Sequence, residues 1–553
     1  MTMTTSGRGD VADLPVVLYR GGRLYCPAVP GATALVVRDG VISWVGVDAE
    51  APPADVVVDL DGAVVTPAFV DAHVHATDTG LVLSGLDLSG VRSAEELLDR
   101  VAGFAAGLPT DAVVLGHGWD ESTWRVPVPP DAGRLSAAAG GRRVYLSQAS
   151  IHSALVSSEM LALVPQVAAG SGTGVEGVGA SGAVVGWLRE EAHHAVRAVA
   201  LGSLSAAQRV AAQRVALSAA AGLGIAAVHE CGGPGTSSEE DFVGVLRLSG
   251  DGLPEVYGYW GELMGVARAR ELGAVGAGGD LYADGALGSR TAYVSEPYVD
   301  GGGCGSAFLD AGQVAAHLVE CARQGVQGGF HAIGDAAVAA VVAGFGLAAR
   351  EVGVERLRAG RHRVEHVELV DKALIAGFVE YGIVASVQPA FDRLWGGPGQ
   401  MYAARLGVRR ALASNPFGAL HGVGVALAFG SDAPVTPLDP WGSVRAAVSH
   451  FHPGSRLGVR AAFAAHTRGG WRALAPGVVD TSREGVLAPG AAATFAVWSA
   501  PAGVSQGLPV LVAEEPELRG PADPTPLPRC LRTVSRGREI FVAAGSPMAG
   551  VGG

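Results

Sequence analysis

Asp71, His73 and His75 stand two residues apart in VVTPAFVDAHVHATDTG, residues 64–80, where an apolar run ends. Imidazole and carboxylate groups at that spacing suit a divalent cation such as zinc, because a strand's period of two sends all three side chains to one side. The spacing alone is weak evidence. With 15 histidines in 553 residues, chance supplies about 0.4 such pairs, and a second pair, His450 and His452, occurs in SHFHPG. Context separates the two. His73 and His75 close a strand-like run, whereas His450 and His452 follow DPWGSVRAAVS, which reads as a helix, and precede Pro-Gly. The second pair is therefore expected at a loop or helix end, in contact with solvent.

Other apolar runs stop at residues of the same chemical kind. His331 ends GGF, His366 ends RHRVEH and Asp432 ends VALAFGS. Two histidines from one strand, one from each of two more, and an aspartate from a later strand make an inventory for zinc, with one position open for water. They converge only if the strands run parallel in one barrel, where catalytic side chains project from the C-terminal strand ends.

The intervening elements support that arrangement. SAEELLDRVAGFAAG, SAAQRVAAQRVALSAAAGLG and AGQVAAHLVECARQGV read as helices; AVVLGHG, RVYLSQA, IAAVHE, GGFHAIG, RHRVEHV, IVASVQP and VALAFGSD read as strands. The alternation runs for about 400 residues and predicts an α/β fold, a (β/α)8 barrel over residues 67–480. Before it, VVLYRGGRLY, ALVVRDGVISWVGV and DVVVDLDG read as hairpin strands around Gly21-Gly22 and Asp39-Gly40. After it, the same texture returns in GVLAPGAAATFAVWSA and LRTVSRGREIFVAAG, with a Pro/Glu-rich loop over 501–529 between them. Residues 1–66 and 481–553 are predicted to pair into one small β-sandwich.

Composition narrows the function class. Net charge is −13 with no basic run, which argues against phosphate-backbone binding. The five cysteines are scattered, which argues against a disulfide framework and for a reducing compartment. The N-terminal stretch lacks a secretory pattern and no run approaches a membrane span. A soluble cytoplasmic protein is expected. Its expected partners are a small-molecule substrate and, optionally, further copies of the chain, with neither nucleic acid nor membrane.

Ordered blocks along the chain, TPAFVDAHVH, GHGWDESTW, VVGWLREEAH, IAAVHECGG, LYADGALGSRTA, GGFHAIGDAAV, RHRVEHVEL, SVQP, GVALAFGSDAPV and GVLAPGAAATFAV, resemble the amidohydrolase superfamily. Within it they resemble amidohydrolase family 3, a group that includes N-substituted formamide deformylase-like proteins. The resemblance implies a composite β-sandwich, a metal-bearing barrel and hydrolysis of amide-like C–N bonds other than peptide bonds. It places metal ligands on His73, His75, His331, His366 and Asp432. It makes Asp432 the group that takes the water's proton and passes it to the departing nitrogen, with His366 helping to polarise the carbonyl. Trp119, His152 and Arg290 fall in blocks that would line the mouth and bind substrate, and Arg290 could grip a carboxylate with both arms.

The chain departs from the family pattern in two places. Ala68 replaces the usual glycine before FVDAHVH, and Asp280 stands where the family carries a lysine whose carbamate could bridge two metals. An aspartate carboxylate lies several ångströms nearer the backbone, so Asp280 is not expected to bridge. A single zinc, or another divalent ion, held by His73, His75, His331 and Asp432 is favoured over two, with His366 a further ligand or an electrophilic helper. Glu230 and Cys231 offer an alternative carboxylate or thiolate. The competing functions are a barrel that binds a small molecule without hydrolysing it, and a metal-dependent lyase or isomerase acting on a cyclic substrate.

Overall fold

The computed structural model describes residues 15–148, 153–168, 175–178, 184–512, 525–545 and 550–551. The chain divides into two compact units, one of residues 1–75 with 217–553 and one of residues 76–216.

The larger unit holds eight parallel strands, each hydrogen-bonded to the next: β1 Phe69–Val74, β2 Ile225–Gly232, β3 Glu255–Trp260, β4 Gly276–Ala277, β5 Gln327–Ala332, β6 Arg363–His366, β7 Val384–Val387 and β8 Leu427–Phe429. A bridge between Val74 and Ala433 brings the two edges together, so the barrel is nearly closed. Strands buried on both faces must read as continuous apolar runs, and β1, β2 and β5 are buried along their whole length. The helices between them begin and end where local chemistry demands. Asp310 and Gln313 form a capping box at the start of Ala311–Gln324, and Gly325 ends it in the left-handed conformation. Asp371 caps Lys372–Tyr381 by accepting from the Leu374 amide, and Gly382 ends it in the left-handed conformation.

Strands β3 and β4 were not predicted from the sequence. EVYGYW is interrupted by glycine, and β4 is two residues inside the Gly-rich GAVGAGGD. Glycine is needed there: a Cβ on Gly278 would lie 2.2 Å from the amide nitrogen of Gly329. The close approach of these backbones lets a very short strand hold its place in the barrel.

Strands from both chain ends complete this unit. Val64–Pro67 pairs antiparallel with Phe495–Ser499, which pairs with Arg529–Ser535, and Val56–Asp59 pairs with Gly550–Val551. Tyr19, Leu35, Val58, Val65, Phe495 and Val534 share one hydrophobic cluster, so strands of both five-stranded terminal sheets contribute to the same core.

The second unit corrects one expectation. AVVLGHG and RVYLSQA, read as barrel strands, form Val113–Trp119 and Arg143–Gln148 of a separate six-stranded sheet. They pair parallel around the helix Ala132–Ala138, which gives them the local signature of a barrel repeat. Antiparallel partners Ser153–Val156 and Val184–Arg189 continue the sheet.

Candidate metal centre

Five of the residues selected at strand ends come together at the C-terminal ends of β1, β5, β6 and β8, and Asp280, just after β4, joins them. The nitrogen Nε2 of His75 lies 3.2 Å from Oδ2 of Asp280 and 3.1 Å from Oδ1 of Asp432. Nε2 of His73 lies 3.5 Å from Oδ1 of each aspartate. Asp280 Oδ1 is also 3.5 Å from Nδ1 of His331 and 3.7 Å from Nε2 of His366. Short as it is, the Asp280 side chain reaches all four imidazoles, against the expectation that it would fall short. The loop after β4 brings its backbone to the cluster.

The outer nitrogen of every imidazole is held by an acceptor. His73 Nδ1–H donates to Glu365 Oε2 at 3.0 Å, and His75 Nδ1–H to the Cys231 carbonyl at 2.9 Å. His331 Nε2–H donates to the Gly285 carbonyl at 3.2 Å, and His366 Nδ1–H to Gln388 Oε1 at 2.9 Å. A neutral imidazole with one nitrogen donating keeps a lone pair on the other. All four inner nitrogens therefore present lone pairs to two carboxylates. His73 Nε2, His331 Nδ1, His366 Nε2 and Asp280 Oδ1 are buried and have no hydrogen-bond partner. Buried polar atoms are rarely left orphaned, and such a set of donors fits a divalent cation. His73, His75 and Asp280, then His73, His366 and Asp432, then Asp280, His331 and His366 each place their ligand atoms within 4.8 Å of one another.

Electrostatics agrees with the geometry. Burial opposes charge on His73, yet the Cys231, Asp280 and Asp432 side chains outweigh it and lift its pKa well above the usual histidine value. The same two aspartates do so for His75. Burial would raise Asp280, yet His73 and the nearby imidazoles of His331 and His366 hold its carboxyl well below the usual range. Asp432 is lowered in the same way by His73 and His75. This negative potential would attract a proton or a metal ion.

The backbone aims these side chains. Alternation along β6 puts Arg363 and Glu365 in phase and His366 out of phase with them. Left-handed backbone at His366 (φ 73°) and Val367 (φ 53°) turns the chain just past the strand. Such a conformation costs about 1–3 kcal/mol per residue, and for a β-branched valine it is rare. Asp71 faces the same way as His73 but is used otherwise: its Oδ1 accepts from the amides of His73 and Ser431, tying β1 to the residues after β8. The Asp432 amide donates to the His73 carbonyl at 2.8 Å, and the His75 amide to the Ala433 carbonyl at 2.9 Å.

Sequence reasoning missed the layer behind the ligands. Glu365 receives two hydrogen bonds from Arg363, which also donates to Ser386, the Ala72 carbonyl and His229 Nδ1, and lies 4.4 Å above the ring of Tyr259. The available signal was RxEH itself, a charged pair in a run that must be buried. Gln388, in SVQP, carried no such signal.

The remaining assignments fall elsewhere. Trp119 is fully buried in the core of the second unit, where its Nε1–H donates to the Leu146 carbonyl and its ring meets Trp124 and Trp187. A side chain so enclosed lines no mouth. Arg290 grips Asp300 with Nε and Nη2 at 3.0 and 2.9 Å, so its paired donors already serve a carboxylate of this chain. His152 lies outside the described residues. Glu230 and Cys231 belong to none of the three ligand groupings among the described residues. His450, expected to meet solvent, is fully buried with Nε2 3.2 Å from Asp392 Oδ1, while His452 caps a 3-10 turn.

A family model described as Amidohydrolase family matches residues 56–541. YtcJ of Bacillus subtilis (strain 168), which carries an amidohydrolase name, is 27% identical over 470 residues, covering 78% of this chain and 83% of YtcJ. Protein LONG AFTER FAR-RED 3 of Arabidopsis thaliana is 27% identical over 500 residues, covering 81% of this chain and 80% of its own. The crystal structure of an uncharacterized metal-dependent hydrolase from Pyrococcus furiosus superposes with a TM-score of 0.70 at 24% identity, covering 87% of this chain and 98% of that one. At that identity the likeness is one of fold.

Proposed function

The chain belongs to the amidohydrolase family, and from that premise we propose that it is a metal-dependent hydrolase of a non-peptide C–N bond, in an N-formyl, N-acyl or cyclic amide. Membership is established for the family; a place among formamide deformylase-like proteins is part of this proposal. So are zinc as the ion and the cytoplasm as the location. The observation that carries the reading is the set of orphaned, buried ligand atoms facing one another across Asp280.

When bound, a divalent ion supplies a water of lowered pKa and a Lewis-acid contact for a carbonyl oxygen. The inner nitrogens of His73, His75, His331 and His366, with Asp280 and Asp432, are the groups that would hold it. Asp432 is buried and ionised, with Oδ1 3.1 Å from Nε2 of His75. Its carboxylate takes a proton from the attacking water and returns it to the departing nitrogen. Glu365, Gln388, Gly285 and Cys231 keep the imidazoles in the tautomer that points a lone pair inward. His75, with 13% of its side chain exposed, is the most open of the four imidazoles.

The test is metal analysis of protein purified without chelator, together with a screen of N-formyl, N-acyl and cyclic amides. At least one divalent ion per chain and turnover of one amide class, both lost on chelation, are expected. Less than about a tenth of an ion per chain would sink the reading.

A further inference from the structure

Asp280 occupies a particular place among the ligand groups. The imidazole pair His73/His75 comes from β1, and the pair His331/His366 from β5 and β6. Asp280 joins His73 and His75 in one grouping and His331 and His366 in another. Its oxygens are divided between the pairs: Oδ2 is nearest His75 at 3.2 Å, while Oδ1 faces His331 and His366 at 3.5 and 3.7 Å, and His73 at 3.5 Å. Oδ1 is buried without a hydrogen-bond partner, as are the inner nitrogens of His73, His331 and His366. Each pair has too few donors for a full coordination shell, and a carboxylate between them completes both.

A carboxylate that joins two cations comes either from an Asp or Glu side chain or from a lysine that has taken up carbon dioxide. The second source is closed to this protein. The chain contains one lysine in 553 residues, Lys372. It is exposed in the first turn of the helix Lys372–Tyr381. We infer that Asp280 is itself the bridging ligand of a two-ion centre, with one ion toward His73/His75 and the other toward His331/His366, and that the centre assembles without carbon dioxide or bicarbonate. The inference rests on the metal-dependent reading above and departs from the expectation of a single ion.

The experiment measures metal content rather than turnover. Wild-type protein and Lys372→Arg, which has no lysine side chain, are stripped with chelator. They are reloaded with cobalt(II) or zinc(II) in buffer freed of carbon dioxide, with and without added bicarbonate, and the ions per chain are counted after desalting. About two ions per chain in both proteins under both conditions is the expected result. Asp280→Asn, nearly isosteric, should hold about one or fewer, with a changed cobalt visible spectrum, while Asp280→Glu, which keeps a carboxylate, should recover part of the second. A count that rises with bicarbonate in wild type but not in Lys372→Arg overturns the inference, and so does Asp280→Asn that still holds two ions. A saturated wild-type protein with one ion overturns it as well and leaves the hydrolase reading standing. A wild-type protein that binds none removes both.

Discussion

Each imidazole of the centre keeps its proton on the outside, and a different acceptor holds it there in each case: a carboxylate for His73, a side-chain amide for His366, and backbone carbonyls for His75 and His331. The difference matters because a carbonyl cannot be removed by substitution, whereas Glu365 can. Glu365 is ionised in a fully buried place because Arg363, itself buried, outweighs the cost of burial. Replacing Glu365 with Ala frees His73 to rotate and exchange tautomer, and it leaves the Arg363 charge uncompensated. A loss of about 10–100-fold in metal affinity is expected, read by competition with a chromophoric chelator; unchanged affinity would show that His73 is fixed by packing alone. Asp432 makes the opposite prediction. Its amide variant, Asp432→Asn, keeps the shape and one acceptor oxygen but cannot take a proton at neutral pH. Turnover should fall by about 10²- to 10⁴-fold with most of the metal retained. Activity close to wild type would remove the proton-transfer role.

At the scale of elements, β1 carries two ligands and is fastened along its length. One fastening is His466, just past the helix Val459–Ala465. Its carbonyl accepts from the Val70 amide at 2.9 Å, and its Nδ1–H donates to the Val70 carbonyl at 3.0 Å, among the rings of Phe69 and Phe429. Burial pushes its pKa down to about 4 from 6.5. Between those values the unfolded chain binds a proton that the folded chain refuses, so this histidine makes stability fall as pH falls. From pH 7 to pH 5 the wild type should lose about 2 kcal/mol relative to His466→Asn, whose amide does not titrate. Urea unfolding of both proteins at the two pH values checks it, and parallel losses would mean that His466 titrates normally in the fold. Much of this scaffold was legible in the sequence. The runs that lead to His331 and Asp432 are apolar up to the ligand, and capped helices separate the barrel strands. His466 and His450 were not legible, because a histidine buried to receive or donate one hydrogen bond looks like any other. Nor was Asp280 as a reaching ligand, since its reach comes from the position of a two-residue strand. The second unit defeated the reading for another reason: a strand–helix–strand pair outside a barrel has the same local pattern as one inside.

For the molecule as a whole, the larger unit is held together across the full length of the chain. Trp498, in a C-terminal strand, donates from Nε1 to Thr66 Oγ1 at 2.9 Å and lies edge-on to Phe69 at the start of β1 and to Trp441 in the helix Pro440–Val448. Gly224, immediately before β2, presses so closely that a Cβ there would lie 2.2 Å from the indole. One side chain therefore joins the terminal sheet to the N-terminal ends of two barrel strands, the end opposite the ligands. Its removal tests whether sheet and barrel are one cooperative body. Trp498→Ala leaves a large cavity and removes the N–H that the Thr66 hydroxyl accepts from, a loss of about 3–5 kcal/mol. If the terminal sheet merely decorates the barrel, the loss will appear as an early partial transition, with the metal retained until the barrel unfolds later. If the indole ties sheet to barrel, the far-ultraviolet circular dichroism signal and the release of metal to a chelator will shift together to lower urea, with a single midpoint. Coincident curves are the expected result, because β1 bears two ligands at one end and rests on Trp498 at the other.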